Sequence, residues 1–300
     1  MVVVLGPTAS GKTRYAVNLA HQLSGLARAS QSSVADADGC LADILSADSR
    51  QVYKGMDIGT GKDLNEYGDV PYHLIDIVSA GIRFDLYQWQ EAFEDAYRDV
   101  RSRGRIPILC GGTGLYIQAA TCGYALPQVP PDEALREELE LFDKKTLIGK
   151  LAAYGPLPDE AVLQSKRRVI RAIEVAQYEK EHPIHRTAYL PKKPYFIGTL
   201  VSREERNARI DRRLDERLQG GMIEEVRELL NSGIPPEDLV YYGLEYKFVT
   251  QYVLGILSYE EMRVLLSNAI HQFAKRQMTW FRGMERDGLH IHWTDKLFLF

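Results

Sequence analysis

Residues 6–13 read Gly6-Pro7-Thr8-Ala9-Ser10-Gly11-Lys12-Thr13 and fit the phosphate-binding pattern G-x-x-x-x-G-K-[ST]. The apolar run from Val2 to Leu5 predicts a buried strand before the pattern, and an apolar-periodic helix is expected after it, from about Lys12 to Leu23. Backbone N–H groups of such a loop converge on phosphate oxygens, and the helix N-terminus adds positive potential. We therefore expect all eight residues to bind a diphosphate, with Lys12 neutralising charge and the Thr13 hydroxyl holding Mg²⁺.

Further along the chain, strand-like and helix-like segments alternate. A helix from Tyr87 to Arg103 leads into a buried strand from Ile106 to Cys110, and an earlier strand is expected at Ile44 to Ser46. Alternation of this kind favours a parallel sheet with helices on its faces. The sequence therefore predicts an α/β fold with a P-loop NTPase-like parallel sheet core.

The pattern changes after Tyr124, where Pro127, Pro130 and Pro131 indicate a linker. From there to about Leu190 the apolar periodicity is that of helices only. The helices predicted in this segment cover residues 132–143, 145–154 and 166–181.

A strand-like run from Tyr195 to Val201 returns the chain to the core, and amphipathic helices are expected in the rest. We predict that residues 1–123 and 191–300 form the P-loop α/β core with its C-terminal helices, and that residues 124–190 form a helical insertion domain. Residues 27–42, rich in Ser, Ala, Asp and Gly, predict a surface excursion before the second strand of the core.

Composition and charge narrow the class of protein. The 300 residues are 45% apolar and 26% charged, with a net charge of -4, which is ordinary for a globular protein. The N-terminal apolar run is too short for a signal sequence, and no stretch reaches the roughly 20 apolar residues of a membrane span. Cys40, Cys110 and Cys122 have no metal-ligand spacing. We expect a cytoplasmic protein without zinc, disulfides or a membrane segment.

The phosphate loop alone leaves the reaction open. A kinase transfers a phosphoryl group from such a loop to an acceptor, whereas a prenyltransferase uses the same loop to hold a diphosphate as it leaves. A second motif, Ser46-Ala47-Asp48-Ser49-Arg50-Gln51, follows a predicted strand at the sheet edge where ligands bind in open α/β folds.

Five segments in the same order resemble the tRNA dimethylallyltransferase family, also called isopentenyl-tRNA transferases, of the bacterial type. Besides GPTASGKT they are SADSRQVYKGMDIGTGK (46–62), GGTGLY (111–116), RRVIRAIEV (167–175) and AKRQMTWFR (274–282). The resemblance runs from Leu5 to about Trp293. It implies transfer of a dimethylallyl group from its diphosphate to the N6 amine of the adenosine on the 3′ side of the anticodon.

The resemblance also implies roles for single residues. Asp48 matches the family's general base, which fits the need of a poorly nucleophilic exocyclic amine to lose a proton. Thr113 matches a residue near the diphosphate and the target nucleotide, and Arg213 matches an arginine that helps hold the diphosphate. Asp57 and Asp76 are weaker candidates for the base. A turn cap at Asp48, a strand-ending turn at Thr113 and a solvated helix face at Arg213 remain open alternatives.

The expected RNA partner is the anticodon stem-loop of tRNA. On the helix from Arg167 to Gln177, one face would pack, and the opposite face, with Arg171 and Glu174, would be free to meet phosphate. In the segment 273–282 we expect the side chains of Phe273, Trp280 and Phe281 to be buried in the core and the charged side chains to face solvent. The residues that the resemblance assigns to tRNA binding are Asp48, Ser49, Arg50, Gln51, Arg136, Arg167, Arg168 and Arg171.

Two departures from the family pattern concern tRNA selectivity. Gly243-Leu244-Glu245-Tyr246 stands where the family usually has Gly-Tyr-Lys-Glu, so a basic residue is lost, and residues 27–42 exceed the usual length. The alternatives to a tRNA enzyme are a prenyltransferase for free adenylate, a P-loop kinase and an RNA-binding relative that has lost activity. The chain is expected to be a monomer and to be of the type without the C-terminal zinc finger of some eukaryotic relatives.

Overall fold

The computed structural model describes residues 1–29, 40–123, 126–158, 160–183 and 193–295. The chain divides into two compact units, Met1–Gly123 with Leu190–Phe300, and Tyr124–Tyr189. Most of the predicted excursion, residues 30–39, lies outside the described ranges. Among the described helices, none combines the length and apolar character needed to cross a membrane.

The larger unit is built on a six-stranded sheet in which every pair of neighbours is parallel, in the order β4-β2-β6-β1-β7-β8. Two further short strands, β3 and β5, form a separate parallel pair. The prediction of a parallel α/β core is confirmed. The strands are β1 (Val2–Leu5), β2 (Ala42–Ser46), β3 (Tyr53–Lys54), β4 (Tyr72–His73), β5 (Val78–Ser79), β6 (Ile106–Gly111), β7 (Tyr195–Thr199) and β8 (Ile291–Thr294).

Both units contain helices. Those of the larger unit are α1 (Lys12–Ala29), α2 (Leu86–Ser102), α3 (Gly114–Thr121), α8 (Arg203–Gln219), α9 (Met222–Asn231), α10 (Pro236–Tyr241), α11 (Leu244–Val253) and α12 (Tyr259–Arg286). Those of the smaller unit are α4 (Glu133–Glu140), α5 (Lys144–Ala152), α6 (Glu160–Leu163) and α7 (Lys166–Glu181).

Both faces of the sheet are covered, as expected of parallel strands. Along β1, Val3 and Leu5 join a large cluster with helices α2, α3 and α12, whereas Val4 joins a second cluster with α1. The alternation follows from the period of two along a strand. The sheet is therefore packed on both faces, and the loops at the carboxyl ends of its strands lie at one edge.

The structure departs from the predicted elements at two strands. The structure has a strand, β8, where only helices were expected after Val201, because a four-residue edge strand gives a weak signal after a long helix. The helices predicted over 132–143 and 145–154 are present as α4 and α5, and the side chain of Asp143 caps the N-terminus of α5. The strand expected to reach Val201 ends at Thr199.

The smaller unit has its own core, formed by α4, α5 and α7 around residues such as Leu147 and Ile173. Glu174 on α7 was expected to face solvent with Arg167 and Arg171, but it is 2% exposed. The buried stripe of α7 also includes Ile170 and is rotated from the predicted face. The expectation of a purely solvated face with Glu174 was therefore wrong.

Candidate active site

A cavity of about 550 Å³ opens at the carboxyl ends of β1, β2 and β6, and all of its lining residues belong to the larger unit. The loops that follow these three strands form part of its wall, and the segment 59–67 and helices α8, α11 and α12 contribute much of the rest. This is the edge at which open parallel sheets bind ligands. The cavity is therefore the candidate active site.

The loop between β1 and α1 has the shape that its sequence predicted. Ala9 and Gly11 have positive φ angles of 61° and 82°, which turn the backbone toward the start of α1. Ser10 is fully buried, and its Oγ lies 2.7 Å from Thr199 Oγ1 on β7. The predicted phosphate-binding residues that line the cavity are Thr8, Ala9, Gly11, Lys12 and Thr13, whereas Gly6, Pro7 and Ser10 do not.

Lys12 is the main cation of this loop. Burial lowers the pKa of its ammonium group, and the nearby carboxylate of Asp48 opposes that change. A poorly solvated cation interacts more strongly with an anionic ligand than a hydrated one does. Lys12 is thus placed to stabilise negative charge that develops in the cavity.

The second loop brings Asp48 to the same cavity. Asp48 is half-buried, and its Oδ1 accepts a hydrogen bond from the Arg50 N–H at 2.9 Å, so the carboxylate also caps the turn. The Ser49 N–H donates to Thr113 Oγ1 at 3.2 Å, which ties this loop to the one after β6. The structure therefore brings together Asp48, Thr113 and Lys12, which lie far apart in sequence.

Two arginines on successive turns of α8 line another side of the cavity. Arg213 forms an ion pair with Asp63 at 2.5 Å, and Arg217 lies 3.8 Å from the same carboxylate. Burial lowers the pKa of Arg217, and the charge of Arg213 adds to that effect. Sequence reasoning singled out Arg213 and missed Arg217, although the spacing of four residues on a helix indicates a shared face.

A glycine-rich loop, residues 55–62, is held in place by two sets of side-chain interactions. The carboxylate of Glu225 accepts hydrogen bonds from three successive backbone N–H groups, those of residues 57–59, at 2.7 to 3.0 Å. Lys62, 2% exposed, pairs with Asp57 and Asp76 at 2.5 Å each. The two weaker candidates for a base are thus partners of Lys62, and Glu225 is a residue that sequence reasoning missed.

An aromatic wall, formed by Phe273 and Trp280 on α12, faces the cavity. Both were expected in the core, but they are 38% and 39% exposed and line the cavity beside Ile270. The core prediction holds for Phe281, which is fully buried. The difference arises because Ile270, Phe273, Gln277 and Trp280 lie three to four positions apart on α12 and share a face that lines the cavity.

The departure at residues 243–246 changes the charge of the cavity wall. Glu245 lines the cavity; burial raises the pKa of its carboxyl group, and Arg217 opposes the shift. Tyr246 is buried and donates to Glu225 Oε1 at 2.6 Å. A carboxyl group thus stands in the cavity where a lysine is usual in the family.

The predicted tRNA-binding residues fall into two groups. Asp48, Ser49, Arg50 and Gln51 line the cavity in the larger unit. The others belong to the smaller unit, where Arg136 pairs with the buried Glu174 at 3.0 Å and Arg171 pairs with it more closely. Arg167 and Arg168 are exposed, and Arg167 makes no ion pair with any residue that the structure describes.

The described residues offer few ligands for a divalent metal ion. No group of three His, Cys, Asp or Glu side chains in the described ranges could hold a metal ion. Mg²⁺ that is bound mainly by diphosphate oxygens and water needs only one or two protein ligands. Thr13, at the start of α1 and on the cavity wall, fits that requirement.

A family model for IPP transferases matches residues 51–284. The chain is 52% identical over 301 residues to a Porphyromonas gingivalis protein named tRNA dimethylallyltransferase 2, covering 99% of this chain and 94% of that protein. A Parabacteroides distasonis protein named tRNA dimethylallyltransferase 1 is 48% identical, with 98% of this chain and 92% of that protein covered.

Two solved structures resemble the chain. The full-length tRNA isopentenylpyrophosphate transferase of Bacillus halodurans has a TM-score of 0.68 and 33% identity, with 98% of this chain and 88% of that one covered. A eukaryotic dimethylallyltransferase acting on tRNA has a TM-score of 0.74 over 98% of this chain and 73% of that one; at 21% identity it shows the fold alone.

Proposed function

The chain belongs to the IPP transferase family, and we propose that it transfers a dimethylallyl group from dimethylallyl diphosphate to an adenosine of tRNA, releasing diphosphate. The observation that carries this proposal is the cavity itself. It joins a phosphate-binding loop, an aspartate and an apolar wall within reach of one another. A kinase needs the first two, but an aromatic wall beside the phosphate loop is suited to a hydrocarbon substituent of the diphosphate.

The proposed reaction assigns a task to each part of the cavity. The N6 amine of the adenosine attacks C1 of the prenyl group, the bond from C1 to the diphosphate oxygen breaks, and Asp48 accepts the proton lost by the amine. Lys12 and the loop N–H groups stabilise the charge that builds on the leaving diphosphate. Arg213 and Arg217 would bind its outer oxygens, and Phe273 with Trp280 would contact the prenyl chain.

Mg²⁺ would reduce the charge of the diphosphate before and after it leaves. Thr13 is the residue that would hold the ion, because its hydroxyl stands at the helix start that follows the loop. The neighbouring Lys12 adds a second cation to the same region.

The target nucleotide is proposed to be the adenosine on the 3′ side of the anticodon. A base in a single-stranded loop can be extruded into a pocket at lower cost than one in a duplex. Ser49, Thr113, Arg50 and Gln51 border the Asp48 side of the cavity and would contact the extruded nucleotide. The smaller unit, with the exposed Arg167 and Arg168, is proposed to bind the anticodon stem.

We further propose that the protein works in the cytoplasm as a monomer. The expected substrate, unmodified tRNA, is found there.

The test is incubation with dimethylallyl diphosphate, Mg²⁺ and unmodified tRNA, followed by mass analysis of the nucleosides. The expected result is one prenyl mass on adenosine from tRNA and none on free AMP in a parallel reaction. Prenylated AMP without prenylated tRNA would identify a free-nucleotide enzyme. Release of ADP from ATP with a phosphorylated acceptor would identify a kinase.

A further inference from the structure

Gln277 joins two of the loops that line the cavity. The side chain projects from α12 and is 7% exposed. Its Oε1 accepts a hydrogen bond from the Thr8 N–H at 2.8 Å, and its Nε2 donates one to the carbonyl of Gly112 at 2.9 Å. Each end of one buried amide therefore binds the backbone of a different loop, and the two loops follow the adjacent strands β1 and β6.

The glycine at position 112 makes this contact possible. A Cβ atom there would overlap the amide nitrogen of Gln277, while the next nearest group, the Gly6 carbonyl oxygen, would be 3.4 Å away. The backbone of Gly112 does not have a positive φ angle. The lack of a side chain therefore serves the approach of Gln277 and not the shape of the turn.

The connection continues to the loop of the general base. Thr113 follows Gly112 directly, and its Oγ1 accepts a hydrogen bond from the Ser49 N–H at 3.2 Å. The Thr113 N–H donates to the carbonyl of Ala47, also at 3.2 Å. A continuous set of contacts thus runs from the phosphate loop through Gln277 to the residues on both sides of Asp48.

We propose that Gln277 is a positioning residue that sets the distance between the phosphate loop and the Asp48 loop. This inference rests on the proposed prenyl transfer, in which C1 must lie in line between the departing oxygen and the attacking amine. A misplacement of about 1 Å can cost on the order of 10² in rate. The Thr8 N–H already donates to Gln277, so the diphosphate is bound by Lys12 and the other groups of the loop. Diphosphate affinity should therefore depend little on Gln277.

Two substitutions separate positioning from folding. Gln277→Met keeps the length of the side chain and removes both hydrogen bonds, whereas Gln277→Glu can accept from Thr8 but cannot donate to Gly112. Gln272 on the same helix is exposed and outside the cavity, so Gln272→Met is the matched control. The measurements are single-turnover prenyl transfer to tRNA, calorimetric binding of inorganic pyrophosphate, and thermal melting.

The expected result for Gln277→Met is a loss of about 10- to 100-fold in the single-turnover rate, with pyrophosphate affinity close to that of the wild type. Gln277→Glu should lose rate as well, and Gln272→Met should behave as the wild type. A Gln277→Met protein with a lower melting temperature but the full rate would mean that the amide only stabilises the fold, and would overturn the proposal.

A double-variant cycle is a second test, of the contact between Gly112 and Gln277. Gly112→Ala should lose rate because the new methyl group displaces the Gln277 amide, while Gln277→Ala removes the obstacle. The double variant should then be no slower than Gln277→Ala alone, since residues that act through one contact are not additive. Additive losses would overturn the proposed link. A wild type that transfers no prenyl group to tRNA would overturn the proposed function and this inference together.

Discussion

Two aspartates at opposite ends of β2 have opposite surroundings. Asp43, near the start of the strand, is fully buried and hydrogen-bonded to His73, Arg103 and Arg105, each at 2.8 Å. Asp48, just past the end of the strand, lines the cavity and makes no ion pair with any residue in the described ranges. The protein pairs one carboxylate with three cationic or hydrogen-bonding side chains, whereas the other forms no ion pair in the described ranges.

The difference follows from the geometry of a parallel sheet. Loops at the carboxyl ends of the strands diverge and leave space for a ligand, while the opposite edge can be filled by side chains of the protein itself. A buried carboxylate is tolerated when it is paired. Position along the strand, rather than residue type, therefore separates a structural aspartate from one that is free to act on a substrate.

The contrast is tested most strongly by removing the charge of Asp48. As a general base Asp48 should contribute about 10² to 10⁴ in rate, so Asp48→Asn should lose that factor in single-turnover prenyl transfer. Asp48→Ala should lose a similar factor, and both variants should stay folded and still bind the prenyl donor.

The hydrogen bond from Arg50 to Asp48 makes the opposite outcome possible. Asparagine is about as good a cap as aspartate, so a capping role would leave Asp48→Asn active and cost Asp48→Ala about 1 kcal/mol of stability. An active Asn variant would remove Asp48 as the base. Asp57 and Asp76 would be poor replacements, because both already pair with Lys62.

The next largest effect is expected for Lys12, the main cation of the phosphate loop. Lys12→Met keeps most of the side-chain length and removes the charge, so the leaving diphosphate loses a stabilising partner. We expect a loss of about 10² to 10³ in turnover, together with weaker binding of inorganic pyrophosphate. Exposed Lys54→Met is the control. Unchanged donor affinity and rate would exclude the phosphate loop from the mechanism.

Asp43 provides the opposite test. Its replacement should lower the free energy of unfolding and leave the rate of prenyl transfer by the folded protein unchanged. Burial would raise the pKa of Asp43, but hydrogen bonds from His73, Arg103 and Arg105 outweigh it and lower the pKa to about 2 from 3.8. At pH values above the pKa of the unfolded state, this lowered pKa stabilises the fold by about 2 kcal/mol. The stabilisation is lost as the pH falls from about 5 to 2.

Urea unfolding of Asp43→Asn at pH 7 should show a loss of about 3 kcal/mol or more, because Arg105 remains buried without its carboxylate. The stability of the variant should also depend less on pH between 5 and 3. Asp99→Asn, which removes an exposed partner of Arg103, should cost at most about 1 kcal/mol. A large fall in the rate of the folded Asp43 variant would contradict the division of roles between the two aspartates.

The sequence was sufficient to predict those parts of the site that are formed by residues adjacent in the chain. The loop at residues 6–13 needs glycines at fixed places and a strand and helix on either side, so its position in the fold could be predicted. The same holds for Asp48 and Thr113, which follow predicted strands. Parallel strands end at one edge, and the structure brings these loops together there.

The remaining parts depend on how distant helices pack. Gln277 reaches a loop 269 residues earlier, and Glu225 holds backbone groups more than 160 residues before it, so no local pattern indicates either contact. Trp280 and Phe281 are neighbours in sequence, yet only Phe281 is buried. Helical periodicity shows which residues share a face, but not whether that face meets the sheet or a cavity.

The smallest effect is expected in the smaller unit, where Arg167 and Arg171 show the same contrast between an unpaired and a paired charge. Arg167 is exposed without an ion pair in the described ranges, whereas Arg171 pairs with the buried Glu174 and donates to the carbonyl of Val129 at 2.8 Å. Arg167→Ala should raise the KM for tRNA and reduce the slope of log affinity against log salt by about 0.7 to 0.9, because one phosphate contact and its released counterions are lost. Its melting temperature should not change.

Arg171→Ala is the comparison that sharpens this prediction. Removing Arg171 leaves Glu174 with fewer cationic partners, although Arg136 remains at 3.0 Å, so the melting temperature should fall. The salt slope should change only if Arg171 also touches RNA, a role that stays a prediction for this residue and for Arg136. The measurement is tRNA binding by each variant at several salt concentrations, alongside thermal melts. If Arg167→Ala keeps the wild-type affinity and slope, its exposed position is only solvated surface, and the stem of the tRNA must be bound by other residues.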